Sequence, residues 1–241
     1  MLQDATVASP KTPSNTNQLL LRLARKEREA FIADCEQVDL EFGQTLCEPD
    51  DAYASAWFPQ TGFISLMVPL TGHPPLEMGL IGSEGMLGAT LVLGIDQVPM
   101  RAVVQGTGTA LRIPVAALKR HVAGDPKLER VLNRYLYVLL AQLSQTAACT
   151  RFHEIGERLA RWLLMTHDRA QADHFHLTHQ FLADMLGVQR SAITIAAGLL
   201  KNKRLIRYSR GEITVISRRG LEAASCECYA AVMADYAQLM G

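Results

Sequence analysis

The spacing of apolar residues changes character three times along the chain. Over 17–34, "NQLLLRLARKEREAFIAD" has Leu20, Leu23 and Ala24 on one helical face, with Phe31 and Ile32 following, which predicts a helix. From about 37 to 116 the helical period disappears. "SAWFPQTGFISLMVPL", "PLEMGLIGSEGMLGATLVLGI" and "MRAVVQGTGTALRIPVAAL" are short β-type runs cut by Gly and Pro, the texture of a compact all-β sandwich or barrel. Helical spacing then returns in "DPKLERVLNRYLYVLLAQLSQTAACTRF". Asp125 is placed to cap that helix and Pro126 stands at its first position.

In this helix Leu128, Leu132, Tyr135, Leu139 and Gln142 recur at alternating spacings of four and three, and Leu136 and Leu143 widen the stripe. A run of about 25 residues is ~37 Å long. A heptad-like seam between two domains makes it a candidate dimer helix. The other reading is that this face packs only on its own β domain. A further amphipathic helix is predicted over 151–170, with Phe152, Ile155, Leu159, Trp162 and Leu163 on one face, and "DRAQADHFH" reads as a polar link.

The pattern beyond that link is sharper. In "LADMLGVQRSAITIAAGLL" a glycine separates two helical runs. Counted from His179, the fifth residue is Ala183, the ninth Gly187 and the fifteenth Ile193. Two crossing helices need a small residue at the fifth position and, at the ninth, a residue that accepts left-handed dihedrals. Leu182, Leu186, Val188, Ile193 and Ala196 supply the packing, and Thr178 can cap the first helix. This is a helix-turn-helix pattern. Its second helix opens with Gln189, Arg190 and Ser191, with Thr194 one turn on, where a recognition helix meets base edges. Arginine there can bond guanine O6 and N7 bidentately, and glutamine can read adenine. In "KNKRLIRYSRGEITVISRRG", β-type runs flank "SRG", a hairpin turn that completes a winged helix. Lys201, Lys203, Arg204, Arg207 and Arg210 are placed to reach phosphates.

Net charge argues neither for nor against a polyanion partner; its distribution points to one, with a solvated charged surface as the other reading. The 241 residues are 49% hydrophobic and 20% charged, enough apolar content for a sizeable core, and the net charge is zero. That zero hides an asymmetry. Residues 1–150 hold 12 Lys and Arg against 15 Asp and Glu, whereas 178–219 hold 8 against 2. A basic segment on an acidic body points to a local anion-binding face. The opening "MLQDATVASPKTPSNTNQ" reads as a loose polar tail with no secretory signal, and no apolar run approaches the ~20 residues of a membrane span. A reduced, cytoplasmic protein is expected.

With "LTHQFLADMLGVQRSAITIAAGLLKNKRLIRYSRGEITVI" and the order β domain, long helix, winged helix, the chain resembles the Crp/Fnr superfamily of bacterial transcription regulators over about 20–220. The resemblance implies an α+β architecture: a flexible tail (1–16), a cyclic-nucleotide-binding-like sensor β-roll (17–124), a dimerisation helix (125–150), a winged-helix DNA-binding domain (151–220) and a C-terminal helical extension (221–241). It also implies a homodimer on a near-palindromic double-stranded DNA site, RNA polymerase as a partner if the protein activates, and no enzyme activity. By position, Gln189, Arg190, Ser191 and Thr194 match the base-facing slots.

The sensor departs from the nucleotide-binding pattern. Within "IGSEGMLGATLVLGIDQVPMRAVVQ", Glu84 stands where a ribose-holding glutamate is expected, but the phosphate-arginine slot falls near Val98 and the following slot at Pro99. Arg101 is about three residues late. A buried phosphate would lose its charge-assisted partner, so no cyclic-nucleotide cofactor is expected. Glu84 and Arg101 are candidates to bind a different ligand or to pair with each other.

Other sensor chemistries are also thin. An iron–sulfur cluster needs four arranged cysteines, and Cys35 and Cys47 do not supply them. Cys226 and Cys228, in "ASCECY", suggest a metal or redox role, but two thiols without a further clustered ligand make a poor zinc site, so no metal is expected. His174, His176 and His179 read as polar linker and helix-start residues, with a pH- or metal-linked role as the other reading. For catalysis, Ser83-Glu84 in a glycine-flanked turn is the nearest constellation and lacks a histidine partner. The rival to DNA binding is a ligand- or redox-sensing regulator whose winged helix mainly mediates protein contacts.

Overall fold

The computed structural model describes residues 16–240; the tail expected at 1–16 lies, Thr16 apart, outside the described residues. The first predicted helix is broken in two. A 3₁₀ turn at Leu20–Arg22 precedes an extended link at Leu23 and Ala24, and α1 (Arg25–Ala33) follows. The break comes from anchoring: the Asn17 side-chain amide donates to the carbonyls of Pro59 and Gly85 at 2.9 and 2.8 Å. Leu19, Leu20 and Leu23 are thereby sunk in the core, and the chain must extend before a surface helix can begin.

The β-rich stretch forms β1 (Glu36–Leu40), β2 (Thr45–Cys47), β3 (Ser55–Pro59), β4 (Phe63–Leu70), β5 (His73–Ile81), β6 (Arg101–Gly106) and β7 (Gly108–Pro114). All pairings are antiparallel, in one sheet of order β1-β7-β3 and another of order β2-β6-β4-β5. α2 (Val115–Gly124) leads into α3 (Pro126–Phe152). The Asp125 carboxylate accepts from the amides of Lys127 and Leu128 at 2.8 and 3.3 Å, satisfying donors a helix start leaves unpaired.

The predicted seam of α3 turns inward. Leu128, Leu132, Tyr135 and Leu139 are buried in the core cluster that contains Phe58, Ile64, Ile81 and Ile113 of the roll, and the Gln142 amide donates to the Leu80 carbonyl at 3.2 Å. The stripe read as a dimer seam is therefore core within one chain. A second stripe, Asn133, Tyr137, Leu140, Ser144 and Ala147, keeps the same four-three spacing and stays exposed.

α4 (Ile155–Ala170) starts four residues later than the sequence pattern suggested, after a bend at His153 and Glu154. Phe152 is left at the end of α3 with 77% of its surface exposed, so it does not join the apolar face of α4. Then come β8 (His174–His176), α5 (His179–Leu186), α6 (Arg190–Asn202), β9 (Ile206–Ser209), β10 (Glu212–Val215), α7 (Arg218–Ala224) and α8 (Cys228–Met240). α8 folds back along α3, and Tyr236, Leu239 and Met240 join the roll's core. Among the described residues no helix is long and apolar enough to cross a membrane.

Candidate nucleic-acid interface

Thr178 caps α5 by accepting from the Phe181 amide at 3.1 Å. Gly187 ends α5 at φ +64° and ψ +42°, the left-handed conformation that closes a helix without a Cβ penalty. Its neighbour Val188 donates back to the Ala183 carbonyl at 2.9 Å, and α6 starts three residues after the glycine. Leu182, Ala183, Leu186, Ile193 and Ala196 are buried between the helices and α4, as their spacing predicted, with Val188 half-buried beside them.

This packing turns the other side of α6 to solvent. Gln189, Arg190 and Ser191 open its exposed face, and Thr194 continues it one turn on. Two apolar residues that sequence reasoning passed over, Ile195 (67% exposed) and Leu199, continue the face. Thr194 is already engaged: its hydroxyl donates to the Arg190 carbonyl at 3.1 Å and meets His179 Nδ1 at 2.9 Å.

The wing is a two-residue hairpin. Ser209 pairs with Glu212, and Arg210 and Gly211 form the loop at φ +52° and +85°, positive at both positions as the tightest hairpin turn requires. The turn puts Arg210 at the tip. Tyr208 from β9 stacks on His179 with ring centroids 4.3 Å apart and planes 13° from parallel. His179 is held below its ordinary pKa, first by burial and then by the nearby Arg190 guanidinium, so the neutral ring joins wing to recognition helix. Lys201 reaches the Tyr208 carbonyl at 3.4 Å, and Lys203 and Arg204 lie exposed just past α6. A helix of 13 residues spans about 20 Å, so Gln189, Arg190, Ser191 and Thr194 at the start of α6 stand apart from Lys201, Lys203 and Arg204 at its end, and Arg210 lies off the helix at the wing tip.

Other charges are committed internally. Arg218 pairs with Asp168 at 2.6 Å and Glu222 at 3.1 Å. His174 and His176 flank Glu212 across the β8–β10 ladder at 2.8 and 2.6 Å.

The two sensor candidates are each engaged by another residue of the chain. Glu84 and Arg101 do not pair with each other. Arg101 pairs with Glu48 at 2.8 Å at the roll's surface. Glu84 pairs with Arg169 of α4 at 2.8 Å and also accepts from the Gly82 amide. The Arg169 guanidinium in turn donates to Gln142 of α3 at 3.1 Å. The glutamate thus ties roll, long helix and helix-turn-helix unit together. Val98, in the phosphate-arginine slot, is buried and brings no charge there.

The reading of Cys226 and Cys228 as thiols without clustered companions is overturned. Cys149 and His153, one helical turn apart at the end of α3, converge on them, and one ligand atom from each of the four lies within 4.8 Å of every other. The Cys-x₃-His spacing was visible in the sequence, but 73 residues separate it from Cys226.

Residues 157–224 match the family model of the Crp-like helix-turn-helix domain. No curated protein sequence resembles the chain closely enough to count as a relative. Solved structures match its fold. FixK2 from Bradyrhizobium japonicum is 14% identical, with 80% of this chain and 98% of that chain covered and a TM-score of 0.66. The CRP/FNR-family transcriptional regulator TTHA1359 from Thermus thermophilus is 21% identical over 79% and 98%, at 0.65. The c-di-GMP-responsive global regulator CLP from Xanthomonas campestris is 16% identical over 80% and 99%, at 0.65.

Proposed function

From a chain that has the Crp/Fnr regulator fold and carries a Crp-like helix-turn-helix domain, we infer a sequence-specific transcription regulator that binds a near-palindromic operator as a homodimer. The observation that carries this reading is the outward first turn of α6, where Gln189, Arg190 and Ser191 stand free of the packing that fixes the helix behind them. Arg190 reads a base, and Lys203, Arg204 and Arg210 hold phosphates, giving affinity and salt dependence rather than sequence choice. Ile195 and Leu199 suit apolar contact with thymine methyl groups or sugar edges.

Dimerisation is assigned to the exposed stripe of α3. Tyr137 and Leu140 are 60% and 61% exposed, and their spacing continues through Ser144 and Ala147, small enough for a close helix approach. In an activator, RNA polymerase is the further partner. A cyclic-nucleotide effector is not part of this reading: Glu84 is engaged by Arg169, and the buried Val98 offers no charge to a phosphate.

Selection from random duplexes, followed by binding titrations at rising salt, tests the proposal. It predicts an enriched two-fold sequence, two chains per duplex and an affinity that falls steeply with ionic strength. Indifference to DNA at low salt overturns it.

A further inference from the structure

Four metal-binding side chains meet at the joint between the sensor and the DNA-binding unit. Cys149 lies in the last turn of α3 and His153 caps that helix; Cys226 sits in the α7–α8 turn and Cys228 opens α8. The three sulfurs are buried. Cys149 Sγ is 3.6 Å from Cys226 Sγ, and Cys228 Sγ is 3.4 Å from His153 Nδ1.

These two separations match the edges of a coordination tetrahedron, and all four ligand atoms lie within 4.8 Å of one another. With zinc–sulfur bonds of ~2.3 Å and zinc–nitrogen bonds of ~2.0–2.1 Å, tetrahedral geometry puts sulfurs ~3.8 Å apart and sulfur ~3.5 Å from nitrogen. A multi-iron cluster holds its protein ligands farther apart than a single ion does. We propose that Cys149, His153, Cys226 and Cys228 bind one zinc-class divalent ion, His153 through Nδ1.

The surroundings are built for this. His153 Nε2 faces the Glu227 carboxylate at 3.1 Å, the carboxylate–histidine arrangement that fixes tautomer and ring direction at metal sites. Gln145 donates to Cys228 Sγ at 3.0 Å. Three thiolates around a divalent ion leave one negative charge, and the guanidiniums of Arg158 and Arg161 act electrostatically on Cys149. Arg158 also donates to the Leu186 carbonyl at the end of α5, and Arg161 to the Thr146 hydroxyl of α3 at 3.0 Å. Binding would release the thiol protons to solvent and tether the start of α8 to the end of α3, next to the bend where α3 hands over to α4. The site uses none of the groups assigned to DNA, so its failure would leave the DNA reading untouched.

The test uses the full-length chain, kept reduced. Elemental analysis is followed by chelator treatment and titration with Zn²⁺ and with Co²⁺. The proposal predicts one equivalent bound per chain, and a Co²⁺ complex with intense visible bands and sulfur-to-metal charge transfer. Cys149→Ser should weaken binding and reduce the charge transfer. Glu227→Gln, which leaves all four ligands in place, should keep the stoichiometry and weaken affinity about 10–100-fold. Failure of the reduced native chain to bind either ion overturns the proposal. So does a weak octahedral Co²⁺ spectrum, or a Cys149–Cys226 disulfide that persists in reductant.

Discussion

The indole of Trp162 donates a hydrogen bond of 2.7 Å to the carboxylate of Glu77, so the first helix of the helix-turn-helix domain is pinned to strand β5 of the roll through a buried acid. Ser65 donates to the other oxygen at 2.6 Å. Burial outweighs these bonds and pushes the carboxyl up from 4.5 to about 7. The fold binds this proton more tightly than the unfolded chain does. The resulting stability is complete below pH 4.5 and is lost as pH rises through 7. Denaturant unfolding should show this contribution shrinking by about 3 kcal/mol across the window, and Glu77→Gln should flatten the profile. An unchanged profile in the variant would show that Glu77 does not titrate there.

The Glu84–Arg169 pair offers a second test. Arg169 is buried and Glu84 half-buried, and Arg169 spans from Glu84 to Gln142. Removing one partner leaves a charge stranded. Arg169→Met should cost about 3–5 kcal/mol by chemical unfolding. Were Glu84 instead a free ligand residue, the loss would be near that of a surface change.

Both interdomain contacts show what could be read from the chain and what could not. Gly187, Ala183 and Ile193 announced the helix-turn-helix because that motif's packing is local, and Asp125-Pro126 announced the start of α3 for the same reason. The α3 seam carried the right period but not the identity of its partner: an apolar stripe buries equally well against a second chain or its own roll, and Leu132 and Tyr135 take the second course. Glu84 finds Arg169, and Cys149 finds Cys226, across 85 and 77 residues that only the tertiary fold closes.

Gly198 lies within α6, and a Cβ added there would meet no atom within 4 Å. Gly198→Ala should therefore stabilise the chain by about 1 kcal/mol through helix propensity alone, raising Tm by roughly 2–4 °C. A fall in Tm would mean that the outer face of α6 is packed rather than open.

The assignment of the dimer seam rests on Tyr137 and Leu140. Leu140→Asp puts charges at the centre of that stripe without touching the core. Analytical ultracentrifugation should show a shift from dimer to monomer with the far-UV circular dichroism unchanged. A dimer of undiminished affinity would place the interface elsewhere.

The most direct test is the affinity of the Arg190→Ala variant for a mapped operator and for single-base variants of it. Arg190 is exposed in the first turn of α6, so its loss should leave folding intact. The expected result is a loss of ~1–3 kcal/mol on the preferred site and weaker discrimination at one base pair in each half-site. Unchanged affinity and unchanged discrimination would contradict the account.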